Sequence, residues 1–261
     1  MHDSPDTIMK LRAQIAAGER SRAEGVAQMV SCGHAAIDAA LGGGLMRARL
    51  HEVFAATIDD TGSAAGFAAM LATQLARQGA TIFWLREQAA EARGGCLHAP
   101  GLAELGIDPG RVILGVIDDA LGVLRVASEV VRCPDIDVAV IELWKNPRAL
   151  DLTASRRLAV AAQASGVTAL MLRADAEPGP SAAQTRWSVA SAAANPLEAS
   201  APGYPTLTLN LLRQRGGSAD RSWQVEWNRD QGKFREAAVP RAVVPLSVGG
   251  SLATGGERRT G

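Results

Sequence analysis

Lysine is almost absent from this chain. Only Lys10, Lys145 and Lys233 occur among 27 basic residues in 261, so everything from residue 11 to residue 144 must do without an ammonium group. Arginine supplies the rest, a bias that reads as the imprint of a GC-rich coding sequence more than as guanidinium chemistry chosen site by site. Cysteine is scarce too. Cys32, Cys96 and Cys133 are scattered and form no C-x-x-C pair, which excludes a disulfide framework and a zinc knuckle and suits a reducing, cytoplasmic setting. His98 follows Cys96 closely, but without a second ligand pair it reads as a loop imidazole. The N-terminus, with Asp3, Asp6 and Lys10, has no continuous apolar core of a signal peptide, and no window reaches the roughly 18 apolar residues of a membrane span. Charge of one sign is also lacking. The 27 basic residues are balanced by 27 acidic ones, so net charge announces no polyanion-binding surface.

What is present is a core: 47% of the residues are hydrophobic, enough for one medium domain with extensions. From about Asp6 to Met29 the apolar positions Ile8, Leu11, Ile15, Val26 and Met29 fall at helical spacing, interrupted by Gly18 and Gly25. This predicts one or two helices in an N-terminal arm over residues 1–30. From Ser31 onwards, short β-branched runs alternate with amphipathic stretches, the pattern of βα units on a largely parallel sheet. Strands are expected at 50–54, 81–85, 112–116, 138–141 and 167–172, and helices at 33–41, 64–78, 102–105, 118–132 and 154–164. The proline-rich stretch 174–180 should be a mobile loop. Residues 206–213 and 223–227 alternate around Gly216 and Gly217, which predicts an antiparallel hairpin closing the sheet. The expected fold is therefore α/β, a twisted and mostly parallel sheet flanked by helices over 31–235. A disordered tail is expected over 236–261, with one apolar patch at Val243–Leu246.

The segment after the strand at 50–54 stands where a strand-loop-helix chain would build a phosphate-binding loop. A working loop reads G-x-x-x-x-G-K-[ST], its lysine on the β- and γ-phosphates and its hydroxyl on magnesium. Here Gly62 and Ser63 lead into Ala64, Ala65 and Gly66, which are taken as the helix start where lysine and threonine would sit. Asp59 and Asp60 add negative charge in front of them. Glu87 and Glu142, each at the end of an expected strand, occupy the places where α/β sheets carry ligand chemistry. Without a cation beside them they read as solvated strand-end charges partnered by arginines such as Arg49 or Arg86, and no cofactor is expected.

Three landmarks in fixed order carry a resemblance: Gly33-His34-Ala35-Ala36-Ile37-Asp38-Ala39-Ala40-Leu41-Gly42-Gly43-Gly44-Leu45, then Leu50-His51-Glu52-Val53-Phe54, then Ala65-Gly66-Phe67-Ala68. Together with Arg186-Trp187 and the hairpin from Arg213 to Trp227, the chain over roughly 31–235 resembles the ImuA family, RecA-like proteins of bacterial mutagenesis cassettes. The resemblance implies a RecA-like fold and an accessory role in damage-induced translesion synthesis. It implies ImuB and an error-prone DnaE-type polymerase as partners, with RecA as a further candidate. In such a protein Glu142 looks like the magnesium-holding strand end and Glu87 like the water-orienting position. The related SulA-type division inhibitors use the same scaffold for another partner, and a divergent DNA-stimulated ATPase is the enzymatic alternative.

RecA-type filaments hold single-stranded DNA with two loops, which would correspond here to 144–157 and 173–186. The first contributes Lys145, Arg148, Arg156 and Arg157, the second Arg173 and Arg186. With Trp144 and Trp187 beside them they suit weak, salt-sensitive phosphate contact with base stacking. They equally suit a solvated helix start and packed tryptophans.

Overall fold

The structure, a computed structural model, describes residues 28–237. The expected arm therefore lies outside the described residues except for 28–30, and the expected tail except for 236 and 237. Of the arm, Met29–Val30 is a short strand, β1, rather than the end of a helix. It pairs antiparallel with β2, Leu45–Met46, across helix α1, Ala35–Ala40. The glycine-rich stretch between α1 and β2 serves this pairing. Gly44 has φ +128°, and a Cβ there would fall 2.2 Å from the Val30 carbonyl oxygen, so only glycine lets β1 lie against it.

The main sheet has nine strands in the order β11-β10-β9-β8-β3-β7-β6-β4-β5. Its elements are β3 (Leu50–Ala55), β4 (Thr81–Glu87), β5 (Val112–Ile117), β6 (Ile136–Trp144), β7 (Thr168–Ala174) and β8 (Thr185–Ser191), all parallel to their neighbours within this group. The antiparallel extension is β9 (Thr206–Gln214), β10 (Arg221–Asn228) and β11 (Lys233–Glu236). The predicted closing hairpin is thus present and carries one more strand. Every residue of β3, β6 and β7 is buried, as expected of central strands covered on both faces.

Helices α2 (Thr61–Leu75), α3 (Gln88–Gly94), α4 (Ala99–Glu104), α5 (Ala120–Val130) and α6 (Leu152–Ser165) complete the layers. On one face α2 presents Phe67, Met70, Leu71 and Leu75, all buried, to the core that also takes in Val53, Trp84, Val140 and Trp187. Phe67 meets Trp187 edge-on at 6.0 Å and Phe234 at 5.5 Å, and Trp227 packs on Phe234 at 4.9 Å. These rings tie the antiparallel extension to α2. On the other face α5 and α6 cover Leu85, Ile141 and Met171.

Two expectations change. The helix expected at 64–78 begins at Thr61, because Thr57 to Asp60 form a tight turn that delivers the chain straight into it. The loop expected at 174–180 is present from Asp175, but beyond it the chain returns at Thr185 as β8, an unexpected strand beside β3. There the landmarks of the sequence meet. Glu52 of β3 stands opposite Arg186 of β8 in register, and Arg186 Nε lies 2.7 Å from Glu52 Oε2 with both side chains buried. His51 Nδ1 lies 2.7 Å from Thr185 Oγ1, and Trp187 Nε1 donates to that same hydroxyl oxygen at 2.9 Å.

Candidate functional site

The carboxyl ends of β3, β6 and β7 open on a depression of about 550 Å3. It is bordered by Ala55 to Ile58 on one side, Lys145 and Asn146 on another, and Asp175, Ala176 and Glu177 on the third. This is where an open parallel sheet places a ligand. Threading G-x-x-x-x-G-K-[ST] from the end of β3 puts Ala55 and Asp60 at its glycines, Thr61 at its lysine and Gly62 at its hydroxyl residue. The positions expected from sequence shift accordingly. Gly62 and Ser63 lie in the first turn of α2, whereas Ala64, Ala65 and Gly66 are inside the helix, with Ala64 fully buried against the core. They cannot form a loop around phosphate.

The turn itself is closed by its own chemistry. Asp60 is buried; its Oδ1 accepts the backbone N–H of Ser191 at 2.8 Å and the Ser191 hydroxyl at 3.0 Å, and its Oδ2 accepts the Thr57 hydroxyl at 2.7 Å. The Ser191 N–H first, then the Thr57 hydroxyl, hold the carboxyl below the usual aspartate range. Thr61 donates its hydroxyl to the Ile58 carbonyl at 2.7 Å. Its methyl faces the end of α3, since a Cβ on Gly94 would come within 3.2 Å of Thr61 Cγ2. Thus a carboxylate bridges this turn to β8 where the second glycine would be, and a neighbouring helix end sits against the position a lysine would take. Asp60→Ala removes three bonds to a charged group and is expected to lower stability by about 2 kcal/mol, read by urea denaturation near neutral pH. A loss below about 0.5 kcal/mol, the range of ordinary surface substitutions, would show that the bridge is not structural.

Glu142 and Glu87 have structural partners. Glu142 is 1% exposed. Its Oε2 accepts Trp84 Nε1–H at 2.8 Å, and its Oε1 accepts Arg86 Nη2–H at 2.9 Å. Arg86 Nε lies 2.8 Å from Oε2 but off the hydrogen-bond line, and the guanidinium is itself buried. The pair is in register across β4 and β6. Arg86 is therefore one of the two partners expected from sequence, but the pair is buried rather than solvated, because β6 runs on to Trp144 and keeps Glu142 inside the sheet; Arg49 instead donates to the Ala48 carbonyl. Glu87, half-buried at the end of β4, accepts the Trp144 backbone N–H at 3.0 Å and so braces β4 to β6.

Lys145 reaches the depression from the end of β6. It has φ +58°, its side chain is 62% exposed, and its ammonium lies 3.8 Å from Asp175. With Asp175 and Glu177 on the same rim, carboxylates outnumber the lysine. The charged side chains on this rim are thus two carboxylates and one ammonium.

The residues grouped as DNA contacts separate. Lys145, Arg148, Arg156 and Arg157 are exposed, the last two on the outer side of α6. Arg173 and Arg186 are buried. Arg173 donates to the Lys145 carbonyl at 2.8 Å and to Asn146 Oδ1 at 2.5 Å and lies over the Phe54 ring, while Arg186 pairs with Glu52 and donates to the Gly179 carbonyl. Burial depresses Arg173 below the usual guanidinium range. Trp144 and Trp187 are buried as well, so neither offers a face to a base. The expected two-loop stacking surface is not assembled, because both tryptophans lie on inward-facing strand positions. Among the described residues no cluster of His, Cys, Asp and Glu could hold a metal ion, and no helix is long and apolar enough to cross a membrane.

No protein-family profile matches the chain, and no curated protein sequence matches it. Solved structures do. One is a crystal structure of the RadB recombinase, similar with a TM-score of 0.53 at 15% sequence identity over 80% of this chain and 100% of that one. A likeness at that identity speaks for architecture: the chain has a RecA-like fold.

Proposed function

We propose that the chain is an ImuA-type accessory factor without catalysis of its own. On this reading it serves damage-induced mutagenic translesion synthesis through protein contacts with ImuB and, directly or through ImuB, with an error-prone DnaE-type polymerase. The observation that carries the non-catalytic half is Glu142. The carboxylate in the magnesium-holding place is spent inside the protein on Arg86 and Trp84. The turn before α2 supports the same reading, since it lacks a lysine and is bridged by Asp60. Lys145 on the rim is the one feature favouring a divergent ATPase, and its ion pair with Asp175 counts against that use.

The assignment to translesion synthesis rests on the ordered landmarks of the sequence. A protein-contact mode is supported by the edge of the sheet. β5 is the terminal strand and reads Val-Ile-Leu-Gly-Val-Ile without a charge. Ile113, Leu114 and Val116 are each more than 40% exposed, and α5 adds exposed Leu121 and Val126. Edge strands of monomeric proteins are usually blunted by charge, proline or a bulge. An uncharged apolar edge suits a partner that adds a strand to it. Ile113→Lys with Leu114→Lys is therefore expected to abolish co-elution with purified ImuB while leaving the circular dichroism spectrum unchanged. Undiminished co-elution would place the contact elsewhere, and failure of the native chain to bind ImuB at all would remove the assignment.

A further inference from the structure

We propose that α6 and the two grooves flanking it form a docking surface for an acidic amphipathic helix of a partner protein. The inference is independent of the nucleotide question and of the β5 edge. Arg156, Arg157, Val160, Ala161 and Ala164 recur at intervals that share one helical face. With Arg132 just beyond α5, that face lines an open groove of about 620 Å3. On its other flank the same helix borders a second groove of about 390 Å3, where Arg49, Arg213 and Arg215 face Ala159 and Gln163. Arg156 and Val160 line both grooves and form the ridge between them.

The chemistry of the ridge is unusual for a solvated helix. Val160 is 67% exposed, the most exposed large aliphatic side chain among the described residues, and it stands with Ala161 and Ala164 between arginines. Neither groove is lined by a carboxylate. Of the six arginines, Arg132 alone has an ion pair among the described residues, an exposed one with Glu129 at 3.2 Å. Arg49 and Arg213 are held only by the carbonyls of Ala48 and Ser181. Arg156, Arg157 and Arg215 are exposed and have no ion pair among the described residues. A protein of zero net charge thus gathers on one helix and its borders positive charge that no described carboxylate balances.

An exposed stripe of Val160, Ala161 and Ala164 bordered by arginines is complementary to an apolar stripe edged by carboxylates. The small alanines let a second helix approach closely, and arginine forks carboxylates in two-point bonds. Acidic flanks would also steer the partner during encounter. A single-stranded nucleic acid is the less favoured occupant, because none of the lining residues is aromatic and base stacking would have no platform.

The test uses the full chain and a fluorescein-labelled peptide of about four helical turns, with leucines on one helical stripe and glutamates elsewhere. Three probes are compared with it: the same composition with the leucines scattered, the same peptide with glutamine for glutamate, and an oligothymidylate of equal length. The striped acidic peptide is expected to bind about tenfold or more tightly than each comparison probe, with affinity falling as salt rises. Arg156→Glu with Arg157→Glu, and separately Val160→Asp, should each weaken it about tenfold, whereas Arg148→Glu should not. Equal binding of all acidic probes would reduce the surface to unspecific charge and overturn the proposal. Preference for the oligothymidylate would overturn it in favour of nucleic acid. Indifference to the substitutions in variants that retain the native spectrum would overturn it as well.

Discussion

Glu142→Ala is expected to destabilise the folded protein by about 3–5 kcal/mol, a large share of the roughly 5–15 kcal/mol that a domain has in total. Removing the carboxylate leaves the Arg86 guanidinium buried in the sheet without its counter-charge and Trp84 Nε1 without an acceptor. Neither group can recover water where it stands, so the cost is the full penalty for an unpaired buried charge and an unmade hydrogen bond. Replacing Arg86 and Glu142 together by leucine and methionine removes charge and counter-charge at once, and should cost far less than the single change. Urea denaturation of the two variants reads the difference. A residue kept for catalysis behaves the opposite way, since replacing it commonly leaves stability unchanged or raises it.

Acid is expected to weaken the fold well above the pH at which carboxylates titrate. His51 is completely buried, and its burial pushes the imidazole down to about 4. The Met46 carbonyl 2.8 Å from Nε2 can only accept, so Nε2 carries the proton and Nδ1 accepts from the Thr185 hydroxyl. In the unfolded chain the same group titrates near 6.5. Between about pH 6.5 and 4 the unfolded state therefore binds a proton that the folded state refuses, and stability falls as pH falls through that window. At about 1.4 kcal/mol for each pH unit the loss is roughly 3 kcal/mol. Denaturation at pH 7, 5.5 and 4 should show it, and His51→Gln should flatten the part of the curve above pH 5. Identical slopes for both proteins would mean that His51 is solvated or already charged in the fold.

Much of this architecture is legible in the chain because buried parallel strands are continuous apolar runs. Val138 to Ile141 could hardly be anything else, and it sits inside β6, covered on both faces. The hairpin of β9 and β10 was legible for the opposite reason, alternation around a glycine pair. β8 was missed: Thr185 to Ser191 carries an arginine and two serines, and its burial depends on Glu52, 134 residues earlier, neutralising Arg186. The start of α2 was misplaced because Gly62 reads as a breaker, whereas a glycine in the first turn of a helix is tolerated where Thr57 and Asp60 set the entry.

At the site, the apolar run Val138 to Ile141 suggests that Glu142 ends a strand, whereas β6 continues to Trp144 and Glu142 lies inside it, beside β4. That adjacency is what places Arg86 opposite Glu142. The same limit applied to Arg173 and Arg186, which look like loop cations in a linear reading and prove to be strand residues turned into the protein. In the linear sequence Asp60 reads only as negative charge ahead of the helix. Its bonds to Ser191 came into view only once β8 had been placed.

Titration calorimetry of the purified chain with a slowly hydrolysed ATP analogue and magnesium tests the central claim most directly. The account predicts no heat of binding with analogue in the millimolar range, where even a Kd of 1 mM would still represent about 4 kcal/mol of binding energy. Micromolar binding, accompanied by ATP turnover that a still-folded Glu142→Gln variant loses, would contradict it.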